Sequence, residues 1–305
     1  MNAPRRSVQD WLLLAALVAM WGSSFMFIKL GIASVPTATL VAARLILGAA
    51  ILLVMVYLRG ARLPAFTGSG LRLWGNYLIL ALLGNCIPFT TITWGQHRTD
   101  SALAGILMAV MPLATLVLAH FFVSGERMTR NRVLGFILGF AGILVLMGPT
   151  ALPGAGGSAL AALSQLAILF GALCYAGNSV LTKILARGDD ILTASAAMLL
   201  VASVIALPIA LVVDQPWTLA PSTSSVAAIV WLGVGPTAIA TLFYFKLIGS
   251  AGPTFMSLVN YMSPAVAVFL GVALLGETPG LHAYLALLLI LGGIAISQWR
   301  SRAGA

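Results

Sequence analysis

A chain of 305 residues that is 61% hydrophobic and 8% charged cannot be a water-soluble globular domain, in which about 25% of residues carry charge. Its net charge of +9 would suit nucleic acid, but the basic residues gather at the ends of apolar runs, so the charge reads as membrane topology and no nucleic-acid partner is expected. Two cysteines, Cys86 and Cys174, both inside apolar runs, are too few for a disulfide framework and read as small hydrophobes.

A bilayer core takes about 20 apolar residues per helix, and polar, Pro and Gly punctuation divides the chain into ten such segments. The first, 11–33, is too long for a signal-peptide core and reads as a retained helix. It contains "WGSSFMFIKL", in which a ring (Trp21) stands eight positions before a lysine (Lys29), with Ser23 and Ser24 between. The second, 36–58, holds Arg44, the most deeply placed charge, expected as a packing anchor. The third, 73–96, carries Tyr77, Asn85 and a run of threonines, and the fourth, 100–123, carries Met108, Met111, Pro112 and His120. The fifth, 131–149, ends at the flexible linker "GPTALPGAGGS", Gly148 to Ser158, which divides the chain into halves 1–149 and 150–305. The sixth, 159–186, contains "YAGNSVLTKI", from Tyr175 through Asn178 to Lys183 and Ile184. Then follow 190–213, 223–249 with Tyr244, 254–275 with Asn260, Tyr261 and Pro264, and 280–299.

With the N-terminus inside, thirteen of the sixteen Lys and Arg fall on one side: Arg5, Arg6, Arg59, Arg62, Arg72, Arg127, Arg130, Arg132, Lys183, Arg187, Lys246, Arg300 and Arg302. Lys29 and Arg98 fall on the other, and Arg44 lies within a segment. This positive-inside bias makes both termini cytoplasmic, in a multi-pass protein of the cell's inner membrane.

The halves echo each other. Trp21 matches Tyr175, Lys29 matches Lys183, Pro112 matches Pro264, Gly125-Glu126 matches Gly276-Glu277 and Gly142 matches Gly293, in order and at offsets of 151 to 154. Each half has five segments, an odd number, so the second is inserted the other way up. Inverted repeats of this kind mark secondary transporters, whose substrate site lies near the midplane between the halves.

"WGSSF…K" in the first segment, "MP" in the fourth, "GE" before the fifth and "NYMSP" in the ninth resemble the EamA repeat of the drug/metabolite transporter superfamily. Within it the chain looks most like YddG-type exporters of aromatic and other neutral amino acids. The resemblance implies a helical basket with segments one, three, four, six, eight and nine around a central cavity. Segments five and ten would be peripheral, where a homodimer could form.

Candidate cavity residues follow from position and chemistry. Trp21 and Tyr175 sit near mid-segment rather than in the interfacial aromatic belt, with Ser24 and Asn178 beside them as a wet face. Ser23 and Gly177 read as packing residues. Asn260 and Tyr261 precede Pro264, and Met108 and Met111 precede Pro112; both prolines are expected to kink their helices and free a carbonyl. Asn85, Tyr77 and Tyr244 complete the set. Lys29 and Lys183 read as snorkelling or helix-end residues, and Glu126 and Glu277 as caps.

The seven acids, Asp10, Asp100, Glu126, Asp189, Asp190, Asp214 and Glu277, all fall at segment ends or in loops, and of the histidines only His120 is expected well inside a segment. Proton-driven pumps keep an ionisable group within the membrane, so a facilitated exporter of neutral or zwitterionic solutes by alternating access is expected, with a proton-coupled multidrug exporter as the alternative. An enzyme is not expected: paired intramembrane aspartates, H-E-x-x-H and Walker A are all missing from the sequence, and no metal or cofactor is implied. A non-transporting bundle would scatter Trp21, Tyr175, Asn178 and Asn260 rather than turn them toward one interior.

Overall fold

The computed structural model describes residues 7–151, 158–185 and 190–298. Arg5, Arg6, Arg187, Asp189, Arg300, Arg302 and most of the interdomain linker lie outside the described residues. Among those described, nine helices are long and apolar enough to cross a membrane: Val8–Gly31, Thr37–Leu58, Gly70–Gly95, Ser101–Phe122, Arg130–Gly148, Ala159–Leu185, Ile191–Val213, Thr223–Ala251 and Leu281–Gln298. The shorter apolar helix Val259–Leu275, preceded by the turn Pro253–Met256, takes the ninth place in chain order. We number these spans one to ten.

Span one begins earlier than hydropathy suggests. Ser7 and Asp10 form a capping box, the Asp10 amide donating to Ser7 Oγ and the Ser7 amide to the Asp10 carboxylate, both within 3.1 Å. Two orphan amides are thereby satisfied, and the helix extends into the polar lead.

Apolar side chains gain little from leaving lipid for protein, so close packing and polar contacts hold the bundle together. Spans five and ten form the tightest pair, and glycines make it. A Cβ added at Gly293 would run into the Gly135 carbonyl, and one at Gly142 would meet the Ala286 carbonyl at 2.9 Å. The repeated late glycine is thus the crossing point of two spans. Spans two and seven form a second outlying pair, mated along Val41, Leu45 and Leu52 on one side and Ala196, Leu199 and Ala206 on the other. The remaining spans form a row in which eight packs on one, one on nine, nine on four, four on six, and six on three, and span two touches both eight and three.

Two irregularities are symmetric and were not apparent in the sequence. Span three contains a π-helical turn, Leu82–Cys86, and span eight contains another, Gly233–Ile239. They are 151 to 153 residues apart, at equivalent places in the two halves. Span four is interrupted at Ala109 and Val110, just before Pro112, whereas span nine is interrupted at Ser257 and Leu258 and runs unbroken through Pro264. In both spans the backbone tightens before the proline, with Val110 donating to Leu107 and Tyr261 to Leu258. Proline supplies no N–H, so the carbonyls of Met108 and Asn260 lose their usual donors.

Candidate functional site

The first span of each half presents its aromatic residue and small polar neighbours toward the π turn of the other half. The Trp21 indole N–H donates to the Pro236 carbonyl at 3.2 Å, and its ring lies 5.9 Å from that of Tyr244. In the opposite half the Tyr175 ring is 6.4 Å from Phe89, and Asn178 fills the space over Gly84, where an added Cβ would come within 2.8 Å of its amide nitrogen. A π turn widens the helix and turns backbone groups out of the ladder, and such turns are frequent at functional sites. Here each turn faces a candidate residue.

The predicted residues fall into several groups. Tyr175, Tyr261, Met108 and Met111 pack against one core cluster, while Trp21 and Tyr244 belong to another around Leu14, Val18 and Val259. Ser24 is buried and donates to the Met20 carbonyl of its own helix at 2.9 Å. Tyr77 is placed apart, buried with Trp74 against Ala194 and Ala197 of span seven. Two surface depressions hold none of these residues. One lies along the loop 120–127 and the other is an apolar groove between Ala43, Leu47 and Ile229.

More informative are polar groups without partners. Asn85 and Asn260 are half-buried and make no side-chain hydrogen bond among the described residues. The Asn178 carbonyl oxygen is buried and unpartnered as well. An amide turned to lipid or sealed in protein without a partner costs roughly 1–3 kcal/mol. The two half-buried amides, on spans three and nine, have a physical reason to exist where water or a solute reaches them.

Arg44 is buried at 6% exposure, its Nε donates to Thr237 Oγ1 of the span-eight π turn at 2.8 Å, and its guanidinium lies 3.8 Å over the Phe89 ring. From outlying span two it thus reaches between spans three and eight.

Most of the acids among the described residues are engaged by hydrogen bonds or ion pairs at helix ends or in loops. Asp10 also accepts from Ser250, Asp190 caps span seven through the Thr193 amide, and Asp214 caps span two through the Thr39 amide. Glu277 caps a helix of the other half, accepting from the amides of Ser101 and Ala102 at 2.7 and 2.9 Å. Glu126 departs from its expected capping role and pairs with Arg132 at 3.1 Å and Lys183 at 3.4 Å. Its hydrogen bond from Arg132 holds the carboxyl below the usual carboxylate range, whereas burial, with the charge of Glu277 nearby, lifts Asp100 above it. Lys29 donates to the carbonyls of Gln96 and Thr99, tying span one to the turn after span three. Lys183 makes an ion pair where its counterpart binds carbonyls.

His120 is a correction. It is exposed in the last turn of span four, where Nδ1 accepts from the Met128 amide at 3.3 Å, so it sits at the end of the span against the following loop rather than well inside it.

An all-helical bundle of two five-span repeats, with the acids among the described residues at span ends or in loops, fits a membrane transporter of the drug/metabolite type. The chain belongs to the EamA-like transporter family, whose model matches residues 10–148 and 162–299. It is 29% identical to the uncharacterized inner membrane transporter YedA of Escherichia coli K12, over 93% of this chain and 88% of that protein. It is 26% identical to a probable terminal-alkyne amino-acid exporter of Streptantibioticus cattleyicolor, over 88% of this chain and 86% of that protein. A solved crystal structure superposes with a TM-score of 0.66 at 22% identity, over 96% of this chain and 97% of that one, and shares the fold.

Proposed function

We propose that the protein exports small neutral or zwitterionic metabolites, aromatic and other neutral amino acids foremost, across the inner membrane. Export proceeds by alternating access between repeats 1–149 and 150–305, with both termini cytoplasmic and the Lys29 end outside. The observation that carries this reading is the pairing of unpartnered amides with an interior free of acids: among the described residues every carboxylate is at a helix end or in a loop. Such an interior recognises amino and carboxylate groups by hydrogen bonds, offers rings and methionines to an apolar side chain, and holds no carboxylate to carry a proton. The amino-acid exporter among the relatives supports the same substrate class.

Alternating access is supported by the unequal ends. At the Lys29 end, lysine and carboxylate both hold backbone of the span three to four turn, as in a closed gate. At the other end the equivalent glutamate is drawn off to Arg132 and Lys183. Exchange of these two arrangements between the halves generates the opposite opening. A homodimer would use the outer faces of spans five and ten, such as Ile137, Leu144 and Leu288, since their glycine faces meet each other.

The test is efflux of labelled tryptophan, phenylalanine, threonine and methionine from proteoliposomes, with and without a pH gradient. Gradient-independent efflux is expected. Efflux that requires the gradient would replace this reading with a proton-coupled exporter, and no movement of any of the four would remove the amino-acid assignment.

A further inference from the structure

Arg44 is a membrane-buried cation without a counter-charge. Among the described residues the ion pairs are Arg132–Glu126 and Lys183–Glu126, both on a glutamate in the loop after span four, and neither involves Arg44. Among the described residues only Nε is hydrogen-bonded, to Thr237, and the two terminal amino groups have no hydrogen-bond partner. A charge held within the membrane ordinarily faces a cavity and finds an opposite charge or carbonyls there. This one is presented with its planar fork free.

Its setting is built rather than incidental. The Phe89 ring supports one guanidinium face at 3.8 Å, and Thr237 fixes Nε while its own hydroxyl donates to the Leu232 carbonyl at 2.8 Å. Thr237 lies in the π turn, so the irregularity that faces Trp21 also orients the arginine. Phe89 is also in ring contact with Tyr175, one turn along span six from the unpartnered Asn178. The other half has no equivalent cation: positions 195–198, at the repeat offset, are Ser195, Ala196, Ala197 and Met198. A scaffold device would be expected in both halves, whereas a substrate with one carboxylate needs one fork.

We infer that Arg44 receives the substrate carboxylate as a two-pronged hydrogen-bonded pair, with Thr237 and Phe89 as positioning residues. A guanidinium held at Nε keeps its terminal amino groups parallel, the geometry that matches a carboxylate. This assignment rests on the amino-acid reading above and makes it specific: the ligand must carry a free carboxylate, and its acidic group is bound by an arginine from span two.

The experiment uses the full chain in lipid nanodiscs and measures binding of L-phenylalanine against L-phenylalaninamide, then of methionine against methioninamide. The wild-type protein is expected to bind each acid at least about tenfold more tightly than its amide. Arg44→Gln should bring the two affinities together, and Arg44→Lys, which keeps the charge but not the fork, should retain part of the preference. A packing anchor predicts something else: lowered melting temperature with acid and amide weakened by the same factor. Thr237→Val, which leaves the guanidinium in place but frees it, should reduce the acid preference and serves as the readout if Arg44→Gln does not fold. Equal binding of acid and amide by the wild-type protein, or an undiminished preference in folded Arg44→Gln, overturns the assignment. If the wild-type protein binds neither acids nor amides, the amino-acid reading falls and this assignment falls with it; loss of preference in the variant alone cannot be mistaken for that result.

Discussion

Glu277→Gln should open the Lys29 end of the transporter. The carboxylate accepts from the Ser101 and Ala102 amides at 2.7 and 2.9 Å, at the N-terminus of span four, where the helix dipole favours negative charge. Hydrogen bonds to a charged group contribute about 1.5–3 kcal/mol each. Glutamine keeps one acceptor and loses the charge, so the closed arrangement should weaken by about 2 kcal/mol, a shift of about 30-fold in the balance between the two openings. Ser24→Cys, in a chain with Cys86 and Cys174 changed to alanine, provides a reporter on the first wall. Its labelling by a membrane-impermeant thiol reagent added outside should accelerate by that order in the Glu277→Gln background. An unchanged rate, or equal acceleration from both sides, would refute the gate and indicate a cap of purely local consequence.

Trp21→Phe keeps the ring against Tyr244 but loses the donor to Pro236, a net hydrogen bond of about 1 kcal/mol, so proteoliposome efflux should fall about fivefold; Trp21→Ala should abolish it. Gly293→Ala runs a methyl into the Gly135 carbonyl and should cost about 1–3 kcal/mol by overpacking, whereas Gly292→Ala, whose nearest neighbour is 3.6 Å away, should leave the melting temperature almost unchanged. Glu126 has a folded value held low by Arg132, so its contribution to stability is complete above the ordinary glutamate value of about 4.3 and is lost as pH falls through the folded value. Glu126→Gln should therefore flatten the acid limb of a melting-temperature profile and leave its neutral region parallel to that of the parent chain.

Ten spans were legible because length and hydropathy are enough to mark a membrane helix, and the repeat was legible because Trp21, Lys29, Pro112 and Glu126 each have a counterpart at nearly one offset. The π turns were not. Leu-Leu-Gly-Asn-Cys and Gly-Val-Gly-Pro-Thr-Ala-Ile contain nothing that local propensity separates from an ordinary apolar helix, and the extra residue per turn rotates everything beyond it. That rotation limits any assignment of faces on span three, where Tyr77 is placed against Ala194 and Ala197 while Asn85 lies in the π turn itself. The capping value of Ser7 depends on Asp10 three residues later, so hydropathy alone starts the first span too late. Arg44 was read by the position of its backbone on span two, but a long side chain acts where its end arrives, and here that end lies between Phe89 and Thr237. The glutamates were read as caps of their own neighbourhoods, whereas Glu277 crosses to the other half.

The interior amides offer the most direct test, because function and stability should move in opposite directions there. Leucine in place of Asn260 or Asn178 keeps the shape and removes an amide that has no partner in the fold, a change expected to be neutral or stabilising in a site built only for packing. The measurement is amino-acid efflux and melting temperature together for Asn260→Leu and Asn178→Leu. A polar pathway between the repeats predicts efflux reduced to the level of empty vesicles with the melting temperature unchanged or raised. Efflux at the parent rate, with a lowered melting temperature, would mean that these amides hold helices together and that the solute passes elsewhere.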